Sequence, residues 1–279
     1  MDSGLPPPTP DPRFAGLARL YGAARLERLR AAHVVVIGIG GVGSWAVEAL
    51  ARSGVGAMTL VDLDDVCLTN LNRQLAALDG TVGRLKVDVM ADRVRAIAPD
   101  CAVSADPRFF TERTADAILS GGCEFVVDAI DAVDNKCRLL AACRRRGLPV
   151  ATSAGAGGRQ DPTKIAEADL ARTTNDPLAA QVRKKLRREH GFPSDPGERF
   201  GIPCVYSTEP LTYPAPDGTT CDRPAEGGAR INCDAGLGTA AFVTGAFGLH
   251  LAGIAVRTLA QKRAESGVSH TTLPNRSVD

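Results

Sequence analysis

The sequence predicts an α/β fold, a doubly wound, mainly parallel sheet with helices on both faces, and three observations predict it. A run of β-branched residues stops at closely spaced glycines in VVVIGIGGVGS, residues 34–44. Apolar strands alternate with helix-length amphipathic segments from His33 to Ser153. Acidic residues follow two of those strands directly, at Asp62 and at Asp128 to Asp131. Such alternation builds a parallel sheet whose ligands sit beyond the carboxyl ends of the strands.

Each element follows from its own pattern. MDSGLPPPTPDP, residues 1–12, is a proline-rich tail with little capacity to pack, and residues 266–279 form a second tail, leaving one domain over 13–265. RFAGLARLYGAARLERLRAA carries apolar residues at helical spacing with arginines between them and reads as a helical arm. A strand from His33 to Gly38, a helix from Gly41 to Ser53, a strand from Ala57 to Asp62 and a helix from Val82 to Ile97, stopped by Pro99, come next. A short strand at Ala102 to Ala105, a helix at Thr111 to Leu119, a strand at Glu124 to Ala129, a helix at Val133 to Arg146 and a strand at Pro149 to Ser153 complete the alternation. Over 153–232 the chain is rich in Gly, Pro, Asp and Thr around one basic helix, Pro177 to His190; it is expected to cover the site without a core of its own. Residues 233–262 form a glycine-rich helix, in which Ala235 to Val256 holds no charged residue and is long enough to cross a bilayer. Its five glycines and His250 favour close packing inside the protein over a membrane span.

Composition narrows the function. At 279 residues and 44% hydrophobic the chain has the make-up of a soluble globular protein, expected in the cytoplasm. A net charge of +1 supplies no overall field toward nucleic acid or anionic membrane, so any basic surface is local. An aromatic content of 4% argues against a base-stacking platform. The eight cysteines include no C-x-x-C pair, which excludes a zinc ribbon or a thioredoxin-type dithiol by spacing.

Gly38, Gly40 and Gly43 form a Rossmann-like G-x-G-x-x-G: a turn too tight for a Cβ, then a helix whose N-terminal N–H groups face an anion. Asp62, at the end of the next strand, can accept ribose hydroxyls. NAD, FAD and ATP enzymes share this pattern. DLDDVCLTNLNRQ then clusters Asn72 and Arg73 after the strand, with Lys86 near a helix start. These residues read either as a solvated loop or as groups that neutralise β and γ phosphates. Hydride transfer needs no cations there, which turns the reading from NAD toward ATP. In VVDAIDAVDNK one aspartate serves as a helix cap; Asp131 is the choice for a carboxylate that holds Mg²⁺.

GIGGVGS, DLDDV, NLNRQ, Lys86 and DAID together resemble the ThiF/MoeB/HesA adenylating fold shared with ubiquitin-activating enzymes. The resemblance implies conversion of a carboxylate into an acyl-adenylate with ATP. It implies Gly40 and Gly41 near the nucleotide, Asp62 on the ribose with Asp64 beside it, Asn72, Arg73, Gln74 and Lys86 around the phosphates, and Asp131 on Mg²⁺. RFAGLARLYG, AGAGGRQDPTKI, DPLAAQVRKKLR and CVYSTE extend it to the branch that dehydrates threonylcarbamoyladenosine in tRNA. In that branch the substrate carboxylate lies on an adenosine beside the anticodon, and ring closure releases AMP.

The resemblance further implies a homodimer, in which Arg13 or Arg19 reaches the partner's phosphates, and a monovalent cation (Na⁺ or K⁺) on the carbonyls of AGAGGRQDPT. The two zinc-binding C-x-x-C pairs of the wider family are missing, so no structural zinc is expected. Cyclisation needs no protein nucleophile; Cys204 and Cys233 read as structural, with both kept as sulfur acceptors if a cysteine desulfurase is a partner. Arg183, Lys184, Lys185, Arg187 and Arg188 fall within two helical turns, as a solvated face or as a contact to tRNA phosphates. The alternatives are adenylation of the C-terminal glycine of a ubiquitin-like sulfur carrier, and a nucleotide-binding adaptor in a sulfur relay.

Overall fold

The computed structural model describes residues 11–195, 197–223 and 237–261; all but two residues of the expected tails, and Cys233, lie outside them. Seven strands form one sheet: β1 (His33–Ile37), β2 (Ala57–Val61), β3 (Ala102–Asp106), β4 (Phe125–Asp128), β5 (Val150–Ser153), β6 (Ile165–Asp169) and β7 (Pro203–Ser207). Their order is β3-β2-β1-β4-β5-β7-β6, parallel throughout except for β6 against β7. β1 reads HVVVI without alternation because both its faces are covered. The strand order turns back between β1 and β4, so a crevice opens at the carboxyl ends of that pair.

Among the described residues eight α-helices accompany the sheet: α1 (Ala15–Tyr21), α2 (Ala23–Ala31), α3 (Gly43–Arg52), α4 (Lys86–Ile97), α5 (Ala115–Leu119), α6 (Val133–Arg146), α7 (Pro177–Glu189) and α8 (Ala241–Gln261). One buried cluster joins α2, α3, α4 and α8 to the sheet, and a second joins α5, α6 and α7 to its other face. The doubly wound reading therefore holds.

Several boundaries differ from expectation. The helical arm is two helices parted at Gly22. α4 begins at Lys86, because Val66 and the 83–84 turn exchange backbone hydrogen bonds (Val66 N to Arg84 O 2.8 Å, Gly83 N to Val66 O 2.9 Å) and hold Val82 to Leu85 out of the helix. α5 begins at Ala115, since the Thr114 hydroxyl donates to Phe109 O at 2.7 Å and closes a turn ahead of it. The stretch expected to be irregular contributes two strands to this sheet, and Tyr213–Pro214 pairs antiparallel with Thr220–Cys221 in a short ribbon apart from it. IAEAD is half-exposed at the sheet edge and PCVYS is only five residues long, so neither carries a strong strand signal.

α8 meets the length and apolarity of a membrane span, yet most of it is buried in the protein. Val243, Phe247 and Leu251 are fully buried, and each large side chain contributes about 1.5–3 kcal/mol. The helix runs five residues past Val256, placing Arg257 2.6 Å from Glu167 on β6. Gly245 and Gly248 face α3. A Cβ on Gly248 would lie 2.3 Å from Val42 O and 2.7 Å from Trp45 Cβ, and Gly245 lies under the Trp45 ring. Gly248→Ala is therefore expected to destabilise the fold by about 1–3 kcal/mol in urea unfolding. Gly253→Ala, whose Cβ would meet only the Arg257 guanidinium at 3.4 Å, is expected to be neutral or to stabilise by up to about 1 kcal/mol through helix propensity.

Candidate functional site

The site is built on the turn that joins β1 to α3. Gly38 has φ +88°, and a Cβ there would stand 2.7 Å from Ala129 O at the end of β4; one on Gly43 would stand 1.8 Å from Gly38 O. Only glycine lets the turn close on itself and lie flush against β4. α3 then starts without a side-chain cap; Ser44 N donates to Gly40 O at 3.1 Å, and the positive end of the helix dipole faces the turn. Gly40 is open, with the Gln74 amide 4.0 Å from its would-be Cβ, and Gly41 is flanked by Thr244 of α8 and the stem of Arg73.

Asp62 stands at the end of β2 and is buried. Its carboxylate accepts from Ile39 N at 2.6 Å, inside the glycine turn, and from Asp64 N at 2.9 Å. Burial pushes this carboxyl above the ordinary range, and the two backbone N–H donors oppose that shift. Asp62 thus pins the turn with lone pairs to spare for further donors.

The cations are held ready by neutral or acidic neighbours. The Arg73 guanidinium donates to Thr69 O (2.9 Å) and Asn72 Oδ1 (3.0 Å); its own carbonyl accepts from Trp45 Nε1 (3.1 Å) and Thr244 Oγ1 (3.3 Å). Asn72 Nδ2 donates to Thr239 O at 2.9 Å, tying this loop to the residues before α8. Lys86 is buried at the N-terminus of α4 and pairs with Asp64 at 2.8 Å. A cation at that end of a helix opposes the macrodipole, so helix stability does not account for its position. Gln74 is buried, and its Oε1 has no hydrogen-bond partner among the described residues.

Asp128 and Asp131 divide their roles by burial. Asp128 has no exposed surface; it pairs with Lys136 at 2.7 Å and accepts from Thr152 Oγ1 (2.6 Å) and Ile130 N (3.0 Å). It fixes the end of β4. Asp131 lies three residues on, exposed at the rim of the crevice. One carboxylate suffices for Mg²⁺ when phosphates supply further oxygens, and among the described residues no group of three acidic, His or Cys side chains forms a cage for a metal.

The remaining sequence candidates fall elsewhere. Arg13 pairs with Asp11 (2.6 Å) and Asp100 (2.8 Å) near the amino end of β3, the end of the sheet away from the glycine turn, and Arg19 is exposed on α1; neither joins the site of its own chain. Cys204 is wholly buried on β7, and burial pushes its thiol upward, the environment of a packing cysteine and not of a sulfur acceptor. Of the basic helix, Arg183 donates to Thr173 Oγ1, Lys185 pairs with Asp134, and Arg187 stacks on Phe200, while Lys184 and Arg188 point outward.

The match to known proteins agrees with this geometry. The family model described as ThiF matches residues 14–277. The chain belongs to the ThiF family. Within that family it is 48% identical to the tRNA threonylcarbamoyladenosine dehydratase of Escherichia coli (strain K12), over 91% of this chain and 96% of that one. It is 46% identical to the dehydratase of the same name from Haemophilus influenzae, over 90% and 95%. The structure of the E. coli dehydratase in complex with ATP superposes with a TM-score of 0.79 at 44% identity, covering 88% of this chain and 93% of that one. The chain lies in the dehydratase branch of the family.

Three supports of the site were missed in the sequence. Trp45, the single tryptophan, sits in the first turn of α3 and braces Arg73; its place directly after the glycine motif was the available signal. Thr239 and Thr244 gave no signal, because only the fold brings the start of α8 to the Arg73 loop. Truncating Lys136 to alanine strands a buried carboxylate and is expected to cost about 3–5 kcal/mol by denaturant unfolding. Asp131→Ala, exposed at the rim, is expected to shift the unfolding midpoint far less than Lys136→Ala.

Proposed function

We propose that this chain is an ATP-dependent tRNA threonylcarbamoyladenosine dehydratase. The observation that carries the reading is the meeting of the glycine turn, Asp62, two positioned cations and Asp131 at one crevice, in a chain similar to such dehydratases over nearly its whole length. ATP lies with its ribose on Asp62 and its phosphates across Gly38 to Gly43, Arg73 and Lys86, with Asn72, Gln74 and Asp64 around them. A Mg²⁺ ion on Asp131, when bound, offsets phosphate charge. A carboxylate oxygen of the threonylcarbamoyl group attacks the α-phosphorus; pyrophosphate leaves and an acyl-adenylate forms. Arg73 and Lys86 stabilise the charge that gathers on the phosphate oxygens. A carbamoyl nitrogen of the same nucleoside then attacks the activated carbonyl, loses its proton and expels AMP. The net change in the nucleoside is the loss of one water. The enzyme works as a homodimer in the cytoplasm, with Arg13 or Arg19 of one protomer reaching the phosphates of the other and a monovalent cation held by the 154–163 loop.

Incubation with ATP, Mg²⁺ and tRNA bearing threonylcarbamoyladenosine, followed by nucleoside mass spectrometry, is expected to show that loss of water. An unchanged nucleoside from a preparation active in ATP–pyrophosphate exchange with a sulfur carrier would sink the reading. Arg73→Ala and Asp131→Ala are each expected to lower the adenylation rate about 100-fold or more with the fold intact. Turnover near wild type in either variant removes that residue from the mechanism.

A further inference from the structure

Resting on the dehydratase reading, we propose that the outer face of α6 and α7 forms the docking surface for the phosphate backbone of the tRNA. One of the two readings of the isolated basic helix put phosphate contacts on α7 alone, and the structure redistributes the cations. Arg183 and Arg187 are turned inward, onto Thr173 and onto Phe200 and Pro193 O, and Lys185 bridges to Asp134 at the start of α6 at 2.5 Å. That bridge and the Cys137 thiol on Val182 O lay α7 across α6. The outward cations therefore come from both helices.

Arg138 and Arg145 of α6 are exposed, as are Lys184 and Arg188 of α7. Arg138 has only Asn135 Oδ1 as partner, at 3.1 Å, and neither Arg145 nor Lys184 has a carboxylate or hydrogen-bond partner among the described residues. At His190, just past the end of α7, burial lowers the imidazole pKa, Glu189 opposes that shift, and the charges of Lys185, Arg145 and Arg138 add to it. The acids of the two helices, Asp134 and Glu189, are already bound by Lys185 and Arg188. In a chain of net charge +1, an unneutralised cluster of this kind is a local field.

The surface is also connected to the site. α6 starts two residues after Asp131 and runs away from the crevice, so at 1.5 Å per residue Arg145 lies about 18 Å along it. An RNA with one base in the crevice can lay several successive phosphates along that track. With few aromatic residues to stack on bases, the contact is to the backbone and independent of sequence.

The test is binding of tRNA by fluorescence anisotropy over a salt series, with dehydration measured in parallel. Arg138→Glu/Arg145→Glu is expected to weaken tRNA binding roughly tenfold or more near 0.1 M salt and to flatten the dependence of log K on log salt by about 1 per lost contact, leaving ATP affinity and the melting transition as in wild type. Arg138→Gln/Arg145→Gln, which adds no negative charge, is expected to move in the same direction by less. Arg95→Glu, half the charge change of the double glutamate variant, on α4 across the sheet, is expected to have little effect. An α6 variant that binds tRNA with wild-type affinity and salt slope overturns the docking surface. An Arg95→Glu loss as large as that of the α6 variant overturns it too. Wild-type protein that neither binds nor dehydrates tRNA instead overturns the reading on which the proposal rests.

Discussion

The structure depends on one close approach of backbone to backbone. Gly38 and Gly43 bring the β1–α3 turn against itself and against Ala129, at distances that leave no room for a Cβ. Because that turn touches the end of β4, the N-terminus of α3 and the segment that carries Asp131 share one crevice. The neighbours of the turn hold it at this distance. Asp62 accepts Ile39 N from the β2 side, the Asp128–Lys136 pair immobilises the end of β4, and α8 seats Gly248 against Val42 and Trp45 from the far side of α3. A buried ion pair rarely adds net stability over an apolar replacement. The Asp128–Lys136 pair is better understood through its third partner, Thr152, which ties β4 to β5 and fixes the direction in which the chain leaves for Asp131.

The glycines of α8 carry the same logic into the second layer. A helix this apolar could be held by bulky side chains, but contact with the first turn of α3 requires the backbones to approach, and small residues permit that. Trp45 uses the space: its ring covers Gly245 while its Nε1 holds the carbonyl of Arg73. The packing of a buried helix and the placement of the Arg73 backbone are thereby one arrangement, with Thr244 adding a second donor to the same carbonyl.

What was legible in the sequence was local. The glycine turn, the acid after β2 and the alternation of strands and helices are written in short stretches whose chemistry depends little on the rest of the chain. β6 and β7 were illegible because an edge strand such as IAEAD is half-exposed and takes its hydrogen bonds from a partner some forty residues away. Asp128 and Asp131 stand three residues apart in similar contexts, and only burial assigns one to structure and leaves the other at the rim. The basic helix shows the same limit. Five cations within two turns are a count, whereas the partners of Arg183, Lys185 and Arg187 are a matter of what α7 packs against.

Two residues of the site stand where the ligand-free fold is least served by them. Burial raises the Asp62 carboxyl, so its stabilising contribution is fully present only below its unfolded pKa and is lost as the pH rises through the folded value. At neutral pH Asp62 is therefore a net burden on folding relative to an exposed aspartate. Lys86 carries its charge at the positive end of a helix dipole, held there by Asp64. A ribose hydroxyl donating to the first and phosphate oxygens meeting the second would supply the complement that each lacks. Polar groups placed against the interest of the empty fold are the physical mark of a binding site, and here both marks lie beside the turn that no side chain can enter.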